Sequence, residues 1–166
     1  MTGKEQRLQA AFMKCIVKNK IAMYRLAYSI VLNKEDAEDV VSETILKAYS
    51  HLAKLKNIQK MKSWIFQILV NEGRAYLKKK NRVWLVEDPV YFAKQENDRL
   101  LPYELLDFVY QLEDVYREVT ILYYFEEFKV KEIAKILDIS SGTVKSRLSR
   151  ARVKLKKFIT AYDQAE

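Results

Sequence analysis

Six polar side chains, Lys60, Ser63, Gln67, Asn71, Arg74 and Lys78, recur at spacings of three, four, four, three and four residues. That is the step of one face of an α-helix. Their chemistry is recognition rather than bond-making: Gln and Asn pair bidentately with adenine, and Lys and Arg hold phosphates. A second set, Thr143, Arg147, Arg150, Lys154 and Lys157, also advances by threes and fours, with Lys145, Ser146 and Ser149 beside it. Short hydroxyls and forked guanidiniums at this spacing suit a major groove. A third set is acidic. Asp36, Asp39 and Glu43 share one helical flank, and Leu46 follows one turn past Glu43. Clustered carboxylates raise metal or acid–base chemistry, but no Cys/His cluster and no glycine-rich loop accompanies them. A docking face of acidic and apolar character is the better reading. No catalytic residue, metal ligand or cofactor is assigned, and the chain is read as a non-enzyme.

The elements that position these sets are helical. Only 3 Gly and 2 Pro interrupt 166 residues, and apolar positions repeat with a period near 3.6. The expected fold is all-α, with two small helical domains at 1–80 and 102–166 joined by a linker at 81–101. One or two helices are expected over Thr2–Leu32. Asn33 is placed to cap the next helix, which runs from Lys34 to about Lys54, with Glu35 and Asp36 in its first turn. The Lys60 stripe belongs to a helix ending near Lys79. Lys131–Arg150 reads as a helix-turn-helix: Ile133, Ala134 and Leu137 pack the first helix, and Asp138-Ile139 make the turn. Ser140 or Ser141 caps the second helix, and Val144, Leu148, Ala151 and Leu155 form its apolar face.

Charge follows the same division. The formal net charge is +8, distributed as +9 over residues 1–80, −6 over 81–139 and +5 over 140–166. Two basic ends around an acidic middle fit two nucleic-acid-facing surfaces. A single Cys15 excludes an intrachain disulfide and suggests a reducing compartment. The lone histidine, His51, is read as structural or exposed. No apolar run has the length of a membrane span and no signal peptide is visible, so a cytoplasmic location is expected.

The runs Tyr24–Tyr28, Asn33–Thr44 and Ser63–Ile68 resemble region 2 of the bacterial sigma-70 family, in its extracytoplasmic-function (ECF) group. Tyr116–Val119, Tyr123–Glu126 and Glu132 through Arg152 resemble its region 4. The resemblance implies an RNA polymerase sigma factor that binds core polymerase and directs promoter-specific initiation. Asp39–Leu52 then matches the segment that binds the beta-prime clamp helices. The Lys60–Lys79 helix and the loop before it match the part that reads and opens the −10 element, and Lys131–Arg150 the part that docks on the −35 element. An anti-sigma protein, often membrane-anchored in this group, is an implied partner. Some positions depart from the family pattern: Glu127 and Asp138 stand where Gly is usual, Lys129 where Ser or Thr usually caps, Glu113 for a frequent Pro and Ser42 for Gln. Two other readings stay open. One is a helix-turn-helix activator of response-regulator type that binds DNA without polymerase. The other is a sigma-like protein that only sequesters a partner.

Overall fold

The computed structural model describes residues 1–84 and 105–165, and every regular element among them is helical. Helix α1 spans Gly3–Val31, α2 Lys34–Ser50 and α3 Met61–Trp84, with short 3₁₀ turns at Leu52–Lys54 and Ile58–Lys60. The second half holds α4 (Leu105–Tyr110), α5 (Asp114–Thr120), a π-turn over Ile121–Phe125, α6 (Val130–Leu137) and α7 (Ser141–Ala165). Most of the segment read as a linker, with Val86, Pro89, Tyr91 and Phe92, lies outside the described residues.

Helix α1 is one uninterrupted rod, because nothing between Gly3 and Val31 breaks it. It ends at Leu32, held in the left-handed conformation at φ 51°. Asn33 caps α2 as expected, its side-chain oxygen accepting from the Asp36 N–H at 2.9 Å. Helix α2 stops at Ser50, earlier than the spacing suggests, and its last stretch to Lys54 winds as a 3₁₀ turn. Helix α3 instead overruns its expected end near Lys79. Lys78-Lys79-Lys80 are good helix formers, and no Gly or Pro intervenes before Pro89. The core of this half is Phe12, Met23 and Leu26 of α1 against Val40 and Ala48 of α2 and Ile65, Phe66 and Leu69 of α3, all nearly inaccessible. Gly73 permits close approach of α3 to α1: a Cβ there would lie 3.0 Å from Cγ2 of Ile30.

In the second half, Ile133, Ile136 and Leu137 of α6 pack against Val144, Leu148, Ala151 and Leu155 of α7. The turn between them places Asp138 at φ 54°. Ser140, rather than Ser141, caps α7, its hydroxyl accepting from the Thr143 N–H at 3.1 Å. Helix α6 lacks a hydroxyl cap at Lys129, but the Glu132 carboxylate reaches back and accepts from the Lys129 N–H at 2.8 Å. Glu127 is exposed and takes φ 58°, the conformation for which glycine is suited. Glu127→Gly is therefore expected to stabilise the protein by about 0.5–1 kcal/mol, read as a rise of a few degrees in the thermal midpoint.

The two halves share a packed seam. Helix α1 meets α5 and the π-turn, and α3 meets α6. The Tyr28 and Tyr110 rings lie 4.9 Å apart, and Phe66 and Phe128 5.2 Å apart, both edge-on.

Candidate nucleic-acid interface

The α3 stripe forms as the spacing predicts. Lys60, Gln67, Asn71, Arg74 and Lys78 are exposed along one face, while Ser63 is half-buried and donates its hydroxyl to the Lys60 carbonyl at 3.0 Å. Met61, Ile65, Phe66 and Leu69 on the opposite side are buried and fix the orientation of that face. The loop before α3 adds exposed Lys54 and Lys56 and an exposed Ile58. The family resemblance assigns this loop to the −10 element, but without periodicity to place them the sequence singles out none of these three side chains.

One member of the stripe is already engaged. Arg74 donates from Nη2 to Glu118 at 3.0 Å and from Nη1 to the Leu137 carbonyl at 3.4 Å, both across the seam. Glu118 is buried, and that burial pushes its carboxyl above the usual range while Arg74 pulls it back.

On α7, Lys145, Ser146, Ser149 and Arg150 are exposed, and Thr143 and Arg147 are half-buried. The Thr143 hydroxyl lies 2.8 Å from that of Ser140, so part of its hydrogen-bonding capacity serves the cap. Lys154 pairs with Glu113 at 2.9 Å. Both partners are well exposed, so the pair is weak and readily exchanged for another anion.

The acidic set divides. Asp39, Glu43 and Leu46 stand exposed on α2, Leu46 at 65%. Asp36 turns instead toward α3, accepting from the Tyr76 hydroxyl at 2.6 Å and from Lys80 Nζ at 2.7 Å. The bond to Asp36 is the main reason the Tyr76 hydroxyl is pushed up to about 12. Asp36 thus ties α2 to α3, and three acidic-face residues remain for a partner. Among the described residues no group of His, Cys, Asp and Glu could hold a metal ion, and no helix is long and apolar enough to cross a membrane.

Sequence reading also missed the polar residues of the seam, because nothing in their spacing pairs them. Arg25 donates to Glu126 at 2.7 Å and stacks over Phe125, and Lys62 Nζ donates to the Glu126 carbonyl at 3.0 Å while lying 4.6 Å from the Phe128 ring. Glu126 is buried, and its carboxyl too is raised by desolvation against the opposing pull of Arg25.

Two family models cover most of this architecture. Residues 15–83 match Sigma-70 region 2 and residues 104–155 match Sigma-70, region 4. The chain is 35% identical over 162 residues to RNA polymerase sigma factor SigV of Bacillus subtilis strain 168, spanning 96% of this chain and 98% of the relative. It is 33% identical over 141 residues to ECF RNA polymerase sigma factor SigM of the same organism, spanning 81% of this chain and 86% of the relative. Its structure is similar to that of the sigma factor RpoE from Bartonella quintana, solved in complex with the anti-sigma factor NepR. The TM-score is 0.75 at 26% identity, over 96% of this chain and 98% of that one.

Proposed function

The chain belongs to the sigma-70 family of RNA polymerase sigma factors, in its extracytoplasmic-function group, and from that premise we propose how its surfaces divide the work. Residues 1–80 act as region 2, residues 102–166 as region 4, and 81–101 connect them. Asp39, Glu43 and Leu46 dock on the beta-prime clamp helices of core polymerase, with Asp36 holding their helix against α3. Lys60, Ser63, Gln67, Asn71, Arg74 and Lys78 read and open the −10 element. Thr143, Lys145, Ser146, Arg147, Ser149, Arg150 and Lys154 hold the −35 element. The chain carries out no reaction of its own; core supplies the catalysis, in the cytoplasm. An anti-sigma protein is proposed as its regulator, because the similar RpoE is held by one.

The observation that carries this reading is the exposed polar face of α3 on the same chain as a capped helix-turn-helix with an exposed cationic face. Multi-round transcription with purified core on a promoter library tests it. The chain is expected to confer selective initiation that core alone lacks. Arg147→Ala is expected to lower initiation at −35-dependent promoters about tenfold, the cost of one good base or phosphate contact. Selectivity equal to that of core alone overturns the reading.

A further inference from the structure

We propose that Glu113 is a built-in counterion for the −35 grip: it cancels the charge of Lys154, so that only Lys145, Arg147 and Arg150 of that set act on DNA as net cations. This rests on the promoter reading above and assigns a restraining residue to the same surface.

Position carries the first step. Thr143, Arg147, Arg150 and Lys154 follow one face of α7, and Lys154 stands about 6 Å past Arg150 along the axis, at a rise of about 1.5 Å per residue. Among the described residues Lys145, Arg147 and Arg150 form no ion pair, whereas Lys154 pairs with Glu113 at 2.9 Å. Two groups of α5 converge on the ammonium. The Glu113 carboxylate accepts from Nζ, and the Tyr116 ring centroid lies 5.4 Å from the same atom. Because α5 packs along α7, the fold itself brings these groups to Lys154. Glu113 occupies the N-cap position of α5, yet its side chain makes no capping bond. A shorter Asp, Asn, Ser or Thr would turn its oxygen onto the N–H groups of the first turn. The longer Glu carboxylate reaches Lys154 instead, and the bond from Lys154 holds its carboxyl below the usual range, so it stays ionised. The sigma-70 pattern has a frequent Pro at this place, so the carboxylate is a feature of this chain.

Charge carries the second step. A cation that meets a phosphate releases a condensed counterion, and each such contact adds about 0.9 to the slope of log affinity against log salt. Lys154 and Glu113 together bring no net charge. If a phosphate takes the ammonium, the freed carboxylate is left beside a polyanion and draws in a cation from solution. If Glu113 keeps it, no counterion is released. Either way the pair adds nothing to the slope. Phosphate contacts carry no sequence information, so Glu113 weakens the grip on every duplex alike and leaves the reading of bases to Arg147 and its neighbours.

Core polymerase charged with the chain is titrated against two labelled promoter duplexes, one with its −35 element scrambled, between about 50 and 200 mM potassium chloride. Glu113→Gln keeps the shape of the side chain and removes its charge. Its salt slope is expected to steepen by about 0.9 on both duplexes, so its gain in affinity over the parent chain shrinks about 3.5-fold across that range. Glu113→Ala should give the same slope, which shows that no amide bond to Lys154 masks the effect. Adding Lys154→Gln to Glu113→Gln should remove the extra slope. The preference for the intact −35 element should be the same in the parent and in Glu113→Gln. A Glu113→Gln slope equal to the parent's overturns the proposal. So does a double variant whose slope is about 0.9 shallower than the parent's, because Lys154 would then already act as a full cation. Failure of the promoter reading shows separately, as equal affinity of the parent for the two duplexes, and the Glu113→Gln slope is still read on both.

Discussion

The double reversal Asp39→Lys and Glu43→Lys is expected to weaken binding to core polymerase by about 100-fold, with little change in thermal stability. Both carboxylates stand exposed on α2, and neither has a hydrogen bond or ion pair within the described residues. Removing them therefore leaves no buried partner uncompensated, and stability should move by less than about 0.5 kcal/mol. The loss falls on the partner interface. Like charge placed against a complementary basic surface slows encounter and costs several-fold per charge, and two adjacent reversals compound. The affinity of labelled chain for purified core, measured at two salt concentrations, checks this. The deficit should shrink at higher salt, because exposed charges are screened over about 10 Å at 0.1 M. An unchanged affinity removes the docking role from this face. Asp36→Lys behaves differently. It breaks the link to Tyr76 and Lys80 and acts through the α2–α3 packing.

That contrast marks where sequence reading reaches and where it stops. Periodicity places Asp36, Asp39 and Glu43 on one flank, and they are on one flank. It does not reveal that Tyr76 and Lys80, two residues past Arg74 and two past Lys78 on α3, turn to meet the first of them. The helix-turn-helix was legible almost residue by residue, because its requirements are local: a cap at Ser140, a left-handed residue at Asp138, an apolar face from Val144 to Leu155. Glu127 was legible for the same reason, as a residue standing where its family has Gly. The ends of α2 and α3 were less so, since a helix end depends on what the last turn packs against and not on spacing alone. The seam was not legible at all. Arg25 and Glu126 are 101 positions apart and Arg74 and Glu118 are 44 apart, and no local rule pairs side chains that only tertiary packing brings together.

Arg117→Met is expected to cost about 3–5 kcal/mol and to lower the thermal midpoint by roughly 10 °C, a larger effect on stability than any change at the DNA-facing residues. Arg117 is 3% exposed, and its guanidinium is the hub of the second half. It donates from Nε to the Ser29 carbonyl at the end of α1, from Nη1 to the carbonyls of Leu112 at 2.8 Å and Tyr110 at 3.3 Å, and from Nη2 to Asp114. Methionine matches the length of the stem and fills much of the space, so the penalty is not mainly a cavity. It comes from carbonyls, those of Ser29 and Leu112 above all, left buried without donors, each costing about 1–3 kcal/mol. Among the described residues every buried side-chain polar atom has a partner, so no spare donor stands by to replace the guanidinium. Asp114→Ala discriminates between the bonds. Asp114 is 74% exposed, so its ion pair is largely screened, and its loss should cost less than about 1 kcal/mol. Thermal unfolding of the two variants side by side checks the account. Equal destabilisation would mean that the ion pair, and not the carbonyl bonds tying α5 to α1, is what Arg117 contributes.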